Sequence, residues 1–227
     1  MPNGKKAITS TKLPHRIIPL PNQDKGFHES PKQLDDDLAN FPWPSRILMC
    51  GAPNSGKTTL AMNILLHANP PYDRVVVWHA DAGTKEWAMV TDEVVTKAPA
   101  IEEWDSRIKN CLVIDDVCLK ALNKEEKARL DRLCGYTSTH KGLTVMITNQ
   151  QPNAIPASIR RMCNVFFLWN STDAQSLRDI ALKCGIKSHE LSSLLKLLPG
   201  VKDNLCVDLT GSPYRYRKNL FELIEEE

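Results

Sequence analysis

One stretch of the sequence has the residue types and the spacing of a phosphate-binding loop. It matches the pattern G-x-x-x-x-G-K-[ST], with an apolar segment before it and a helical pattern after it. Glycines let the backbone curl so that successive N–H groups point at phosphate oxygens, and the helix that follows adds the positive end of its dipole. The pattern predicts a nucleoside triphosphate site made of Gly51, Ala52, Pro53, Asn54, Ser55, Gly56, Lys57, Thr58 and Thr59.

Two side chains of this loop are expected to act directly on the bound triphosphate. The Lys57 ammonium would reach the β- and γ-phosphates, where it offsets negative charge. The Thr58 hydroxyl would be a ligand of Mg²⁺. The expected cofactors are therefore ATP and Mg²⁺.

Two adjacent carboxylates, Asp115 and Asp116, end the apolar segment Leu112-Val113-Ile114. Because ligands bind beyond the carboxyl ends of strands in open α/β sheets, these acids are expected to face the phosphate loop. Asp115 would hold Mg²⁺, as a Walker B residue does, and Asp116 would act as general base for the attacking water. The assignment of the two roles stays open, since many ATPases of this type have Glu at the second position.

A polar residue, Gln150, follows the next apolar segment along the chain, Leu143–Thr148. In ATPases that carry a catalytic acid, the corresponding strand lies between the phosphate-loop strand and the Walker B strand. An amide at its end can contact the γ-phosphate or position the attacking water. The alternative is an ordinary turn amide.

The elements that must position these residues are short strands that alternate with helices. Five segments are apolar on both faces, as expected of strands buried in a parallel sheet between helices: Arg46–Cys50, Arg74–His79, Cys111–Asp115, Leu143–Thr148 and Val165–Trp169. Helical patterns cover Lys57–Ala68, Asn123 to about Cys134, Thr172 to Gly185, and Ser188–Leu198. Leu205–Leu209 and Tyr214–Arg217 flank Gly211-Ser212 and predict a C-terminal hairpin. The pattern predicts a three-layer α/β domain over residues 45–227.

The first 44 residues differ from the rest in composition. They contain seven of the 15 prolines and no helical or strand period, which predicts an extended N-terminal arm. Such an arm is either a solvated tail or a segment that wraps a neighbouring subunit or partner.

The overall composition excludes several classes of protein. With 29 basic and 27 acidic residues the net charge is only +2, which argues against a polybasic nucleic-acid binder. No apolar run is long enough to span a bilayer, so no membrane-spanning segment is expected. The seven cysteines include no C-x-x-C pair, and we expect several of them to be small buried apolar residues.

Three stretches together resemble the FtsK–HerA superfamily of DNA-pumping ATPases, and most closely the poxvirus-type genome-packaging ATPases of double-stranded DNA viruses. They are G-A-P-N-S-G-K-T-T at 51–59, L-V-I-D-D at 112–116 and K-G-L-T-V-M-I-T-N-Q-Q-P at 141–152. The third is similar to the family segment that ends in a polar sensor, which the resemblance places at Gln150. Two residues depart from the family pattern: Thr139 stands where the family often has Arg, and Asp116 where it often has Glu.

The resemblance implies a P-loop NTPase of the RecA-like type with an additional strand and a catalytic acid, working as a ring, usually a hexamer. Arg160 or Arg161, in a segment similar to the element before the family's fifth strand, would be the arginine finger supplied to a neighbouring subunit. Duplex DNA of any sequence would pass through a central channel. Candidate basic contacts to its phosphates are Arg74, Lys85, His140 and Lys141.

The function expected from these features is ATP-driven packaging of a viral genome into a preformed capsid. The partners would be duplex DNA, further copies of the chain and capsid vertex proteins, in the host cytoplasm or nucleus and in the virion. A cellular DNA translocase of the same superfamily is the main alternative, in which case the protein would be cytoplasmic. A nucleotide-binding capsid-vertex protein without hydrolysis and a P-loop kinase are further alternatives, although the acid pair Asp115-Asp116 argues against the kinase.

Overall fold

The computed structural model of the protein describes residues 43–150, 152–170, 172–210, 216–220 and 222–224. Apart from Trp43 and Pro44, the arm predicted for residues 1–44 lies outside the described residues. The turn predicted at Gly211-Ser212 lies outside them as well.

The described residues form a mostly parallel sheet of nine strands in the order β3-β2-β4-β5-β1-β6-β7-β8-β9. The first six strands in that order are parallel, and β7, β8 and β9 are antiparallel to their neighbours. The strands are β1 (Arg46–Cys50), β2 (Arg74–His79), β3 (Val94–Val95), β4 (Asn110–Asp115), β5 (Leu143–Asn149), β6 (Val165–Trp169), β7 (Asn204–Asp208), β8 (Tyr216–Lys218) and β9 (Glu222–Leu223). All five predicted parallel strands are present, each within one residue of its predicted ends.

The helices are α1 (Lys57–Leu66), α2 (Lys124–Arg132), α3 (Ser138–His140), α4 (Ala157–Met162), α5 (Ala174–Cys184) and α6 (Ser188–Lys196). The four that were predicted, α1, α2, α5 and α6, agree with the sequence patterns in position and differ slightly in length. A π-helical stretch, Leu133–Thr137, joins α2 to α3, and short 3-10 turns lie at Ile101–Glu103 and Pro152–Ala154. The short β3, β9, α3 and α4 have too few residues to show a hydrophobic period, and they were not predicted.

Local sequence signals explain where α2 and α5 begin and end. Asn123 and Glu126 form a reciprocal capping box, with the Asn123 side chain accepting from the Glu126 N–H at 2.9 Å. Asp173 caps α5 in a similar way, accepting from the Ser176 N–H at 2.9 Å. Gly185 ends α5 with φ of 68°, a conformation that favours glycine.

Apolar side chains cover both faces of the sheet. One face carries Ile47, Met49 and Val113 and packs against α1. The other face carries Leu48, Val76 and Leu112 and packs against α2, α4, α5 and α6. The three-layer α/β fold predicted from the sequence is confirmed. Six of the seven cysteines are buried, as expected of small apolar residues.

The order of the central strands decides which residues meet at the site. β5 lies between β1 and β4, and Cys50 pairs in register with Asn149. This arrangement is the additional-strand order predicted from the acid at the end of β4. The parallel strands therefore end at one edge, here called the carboxyl edge, where the phosphate loop follows β1. The opposite edge, where the parallel strands begin, is called the amino edge.

Candidate nucleotide-binding site

The phosphate loop leaves the end of β1 and closes on itself before α1 begins. The Ser55 N–H donates to the Ala52 carbonyl at 3.3 Å, and Gly56 has a φ of 101° that side-chain-bearing residues rarely adopt. A Cβ at Gly51 would lie 2.7 Å from Ser55 Oγ and 3.0 Å from the Trp169 side chain. The first glycine of the motif is thus required by close packing, and Gly56 by its backbone conformation.

One hydroxyl in this loop has no hydrogen-bond partner among the described residues. Ser55 is 4% exposed, and its Oγ is buried. A buried polar atom without a partner carries a free-energy penalty that a bound ligand can remove. This hydroxyl lies inside the predicted cradle and fits a phosphate oxygen.

Lys57, the first residue of α1, folds back over the loop. Its Nζ donates to the carbonyls of Gly51 at 3.0 Å and Ala52 at 2.8 Å. Burial lowers the pKa of Lys57, whereas the negative charges of Asp115 and Asp116 raise it. The ammonium therefore lies over the phosphate loop, near enough to Asp115 and Asp116 for their charges to act on it.

Asp115, the last residue of β4, is buried and accepts hydrogen bonds from three side chains. The Thr58 hydroxyl is 3.3 and 3.4 Å from its two carboxylate oxygens. The Thr148 hydroxyl donates to Oδ1, and the Trp87 indole N–H donates to Oδ2 at 3.2 Å. These donors hold the carboxylate in one orientation beside Thr58.

Thr58 and Asp115 together fit a magnesium ion. Neighbouring oxygen ligands of an octahedral Mg²⁺ lie about 2.9 Å apart, so the observed separation needs only a small adjustment. Mg²⁺ is usually held by one or two protein oxygens together with phosphates and waters. Among the described residues no cluster of three or more His, Cys, Asp or Glu side chains could hold a metal ion.

The other two residues predicted at the carboxyl edge are exposed. Asp116 follows β4 with a left-handed φ of 54°, an uncommon conformation in residues other than glycine that is found more often at functional sites. Gln150 directly follows Asn149, whose carbonyl accepts from the Gly51 N–H at 3.3 Å. Each residue directly follows a strand that ends at the carboxyl edge: β5 lies next to β1, and β4 lies one strand further away. Their roles in hydrolysis stay predictions.

The two consecutive arginines of α4 lie in different surroundings. Arg160 donates to Asn153 Oδ1 at 2.7 Å and to the Pro152 carbonyl at 3.2 Å, and it forms an ion pair with Asp179 at 3.6 Å. Arg161 is exposed and lines a cavity beside Arg46, the first residue of β1. Neither arginine contacts the phosphate loop of its own chain, and their predicted role concerns a neighbouring subunit.

Two of the four basic residues predicted to contact DNA are engaged within the chain. Arg74 forms ion pairs with Glu93 and Glu103 and lies 5.0 Å from the ring centre of Trp104. Lys141 donates to the Ile101 carbonyl at 2.9 Å. Lys85 and His140 are exposed, so they are the more accessible of the four.

Sequence reasoning missed two residues of the site. Trp87 is fully buried, and its indole N–H donates to Asp115. Trp87 belongs to the segment between β2 and β3, which has no periodic pattern that could have pointed to this role. The sequence does carry a signal for Thr148. This residue comes just before Asn149, the last residue of β5, and β5 pairs with β4, which ends in Asp115.

No protein-family model and no curated protein sequence matches the chain. Solved structures do match. The genome-packaging NTPase B204 from Sulfolobus turreted icosahedral virus 2, in complex with ATP-gammaS, has a TM-score of 0.54 and 14% identity over 80% of this chain and 98% of that chain. B204 from Sulfolobus turreted icosahedral virus, a DNA-packaging ATPase, has a TM-score of 0.56 and 12% identity over 83% of this chain and 100% of that chain.

A third similar structure comes from a different biological system. The pCW3 conjugation coupling protein TcpA, in its monomer form with ATPgS, has a TM-score of 0.52 and 16% identity. The match covers 85% of this chain and 62% of TcpA. These likenesses establish that the chain has the fold of P-loop NTPases such as B204, in agreement with the family resemblance of its motifs. In the described part of the chain, no helix is both long and apolar enough to cross a membrane.

Proposed function

We propose that a protein with this fold and this site is an ATP-driven motor that moves double-stranded DNA, and that it packages a viral genome into a preformed capsid as a member of the FtsK–HerA superfamily. The observation that carries the ATPase part is the contact between Thr58 and Asp115 across β1, β5 and β4. The likeness to the packaging ATPase B204 supports the DNA part.

The residues at the carboxyl edge have the chemistry needed for hydrolysis. The loop N–H groups and Lys57 would bind the phosphates, and Thr58 and Asp115 would hold Mg²⁺, which when bound neutralises charge on the β- and γ-phosphate oxygens. Asp116 would accept a proton from water as that water attacks the γ-phosphorus and the bond to the β-phosphate oxygen breaks. Gln150 would orient the water, and the products would be ADP and inorganic phosphate.

A closed ring, with the hexamer as the expected form, would place Arg160 or Arg161 at a neighbour's γ-phosphate. It would also concentrate positive charge around DNA, although each chain has a net charge of only +2. We propose capsid vertex proteins as further partners, with the protein in the host cytoplasm or nucleus and in the virion.

A DNA translocase outside virus assembly is the second candidate. The likeness to a conjugation coupling protein favours it, because the same fold occurs in that system at similar sequence identity. The two candidates share the reaction and differ in what receives the DNA.

The decisive experiment measures ATP turnover with and without duplex DNA of random sequence, together with the mass of the assembly. We expect turnover that DNA stimulates and that high salt reduces to the unstimulated rate, because phosphate contacts release counterions. The Asp116→Asn variant, measured in parallel, shows whether the turnover comes from this site. An assembled ring whose turnover does not change with DNA at low salt would overturn the translocase proposal.

A further inference from the structure

A cavity of about 530 Å³ lies at the amino edge of the sheet, opposite the phosphate loop. It is lined by the residue that opens β1, by the residues just before β6 and by the last turns of α4 and α5; the lining includes Arg46, Tyr136, His140, Arg161, Asn164 and Lys183. Its volume falls in the range of ligand pockets. Since β1 has five residues, its two ends are about 13 Å apart, which separates this cavity from the nucleotide site.

Among the described residues, the charged side chains that line this cavity are all of one sign. Arg46, Arg161 and Lys183 are cationic, His140 is a further nitrogen donor, and no described carboxylate belongs to the lining. Within the described residues none of these four side chains forms an ion pair, whereas Arg74, Arg160 and Arg217 each do. Clustered like charges repel, so this arrangement favours binding of an anion.

Arg46 has donors that its surroundings leave poorly used. Its Nε is buried and has no hydrogen-bond partner in the part of the chain that the structure describes, and its Nη1 reaches Cys134 O and Thr139 Oγ1 only at 3.4 Å each. Burial raises the pKa of Cys163, which also lines the cavity, to about 12, against the opposing charges of Arg46 and Lys183. Arg46 and Lys183 are thus both close to Cys163 on one side of the cavity. A ligand with several oxygen atoms would supply acceptors for the unused donors of Arg46.

The helix ends at this cavity indicate what kind of anion fits. Arg161 and Lys183 lie in the last turns of α4 and α5, where the helix dipole is negative. Compact phosphates are usually bound at helix N-termini and by backbone N–H groups. Long cationic side chains from separate elements instead suit a chain of spaced phosphates, which is bound mainly by Lys and Arg without reading bases.

We propose that this amino-edge cavity binds the sugar–phosphate backbone of duplex DNA through Arg46, Arg161 and Lys183. The proposal rests on the proposed DNA-translocating function and names the surface that contacts the DNA. Arg46, Arg161 and Lys183 take the place of Arg74 and Lys141 as candidate DNA contacts, because those two residues are engaged within the chain. His140 stays a candidate, since it lines the cavity, with its ring 4.6 Å from that of the exposed Tyr136.

The test is binding of a fluorescent duplex oligonucleotide of random sequence, measured by anisotropy over a range of salt concentrations. The variant is the double substitution Arg161→Ala and Lys183→Ala, both at exposed positions, so that the fold is retained. We expect the slope of log affinity against log salt to fall by about 1 for each residue removed. We also expect the affinity at about 0.1 M salt to fall by about tenfold or more.

The matched control is Lys97→Ala with Lys120→Ala, which removes the same charge from exposed positions outside the cavity. Its slope should equal that of the wild type. If the two double variants weaken binding equally, the attraction is diffuse and the cavity proposal is wrong. Thermal melting and nucleotide affinity of each variant, together with Lys183→Gln as a milder change, show whether any loss comes from misfolding.

Further measurements separate the failure of this proposal from failure of the proposed function. If DNA stimulates wild-type turnover and the Arg161→Ala, Lys183→Ala variant binds DNA with wild-type affinity, the proposed motor function is supported and the cavity proposal is wrong. If the wild-type protein does not bind DNA and its turnover does not change with DNA, both the proposed function and the cavity proposal are wrong. Complete competition by inorganic phosphate or ATP at concentrations matched in phosphate would identify a small-anion site instead and would also overturn the proposal.

Discussion

The two edges of the sheet hold their charged groups in opposite ways. At the carboxyl edge the ammonium of Lys57 lies on two loop carbonyls, and the carboxylate of Asp115 accepts from three side chains. At the amino edge Arg46, Arg161 and Lys183 line a cavity to which none of the described acids contributes. The charged groups of the nucleotide site are thus held in place by the protein itself. Those of the amino-edge cavity have donors that a ligand with acceptor atoms could bind.

Helix direction accounts for part of this difference. α1 begins at the phosphate loop and presents its positive end there, whereas α4 and α5 present their last turns to the amino edge. A compact, highly charged triphosphate gains from the first arrangement. The two edges should therefore respond differently to mutation.

Lys57→Ala should have the largest effect, because backbone N–H groups alone do not offset the phosphate charge. We expect ATP binding to be abolished, as measured by titration with a fluorescent nucleotide. Duplex affinity measured on the same preparation should be retained, since the amino-edge cavity does not include Lys57. Unchanged nucleotide affinity would show that the phosphate-loop assignment is wrong.

Arg160→Ala should lower hydrolysis by about 10³-fold if Arg160 is the arginine finger. Mixing this variant with Lys57→Ala protein should restore part of the activity, because hybrid interfaces contain one intact site. Arg161→Ala is the comparison, since its side chain lies at the amino edge and its loss should lower DNA affinity. If activity recovers in mixtures with Arg161→Ala but not with Arg160→Ala, Arg161 is the arginine finger. If it recovers with neither variant, the finger is another residue.

Asp116→Asn should lower turnover by about 10²-fold or more, the range for loss of a general base. ATP and Mg²⁺ binding should be kept, because the proposed Mg²⁺ ligands are Asp115 and Thr58, which contact each other. Single-turnover kinetics with a separate measurement of Mg²⁺ dependence would distinguish these effects. If Asp115→Asn instead spares Mg²⁺ binding and only slows hydrolysis, the roles of the two aspartates are exchanged.

Trp87→Phe should have the smallest effect, since it removes one N–H donor to Asp115 and keeps the aromatic ring. Groups that orient a metal ligand typically affect metal affinity by about 10- to 100-fold, so we expect a shift near the lower value. The readout is the Mg²⁺ concentration for half-maximal turnover. Trp104→Phe is the matched control, because the buried Trp104 Nε1 has no hydrogen-bond partner among the described residues, and an equal shift there would contradict the role of Trp87.

Much of the fold and the core of the site follow from contiguous sequence. The five parallel strands were predictable because each is a short run of apolar residues buried on both faces. The capping box at Asn123 and the glycine that ends α5 were predictable because caps depend on a few neighbouring residues. The short α4 had no such signal, and so the different directions of its two arginines could not be predicted.

The sequence alone determined that a phosphate loop follows β1 and that an acid pair ends β4, because both depend on the backbone conformation of consecutive residues. Only the tertiary structure decided that Trp87 and Thr148 hold Asp115, that Arg74 is occupied by Glu93 and Glu103, and that Arg46 and Lys183 share one cavity. The physical reason is that these contacts join residues far apart in the chain. Strand order and helix packing bring such residues together, and no local pattern encodes which of them will meet.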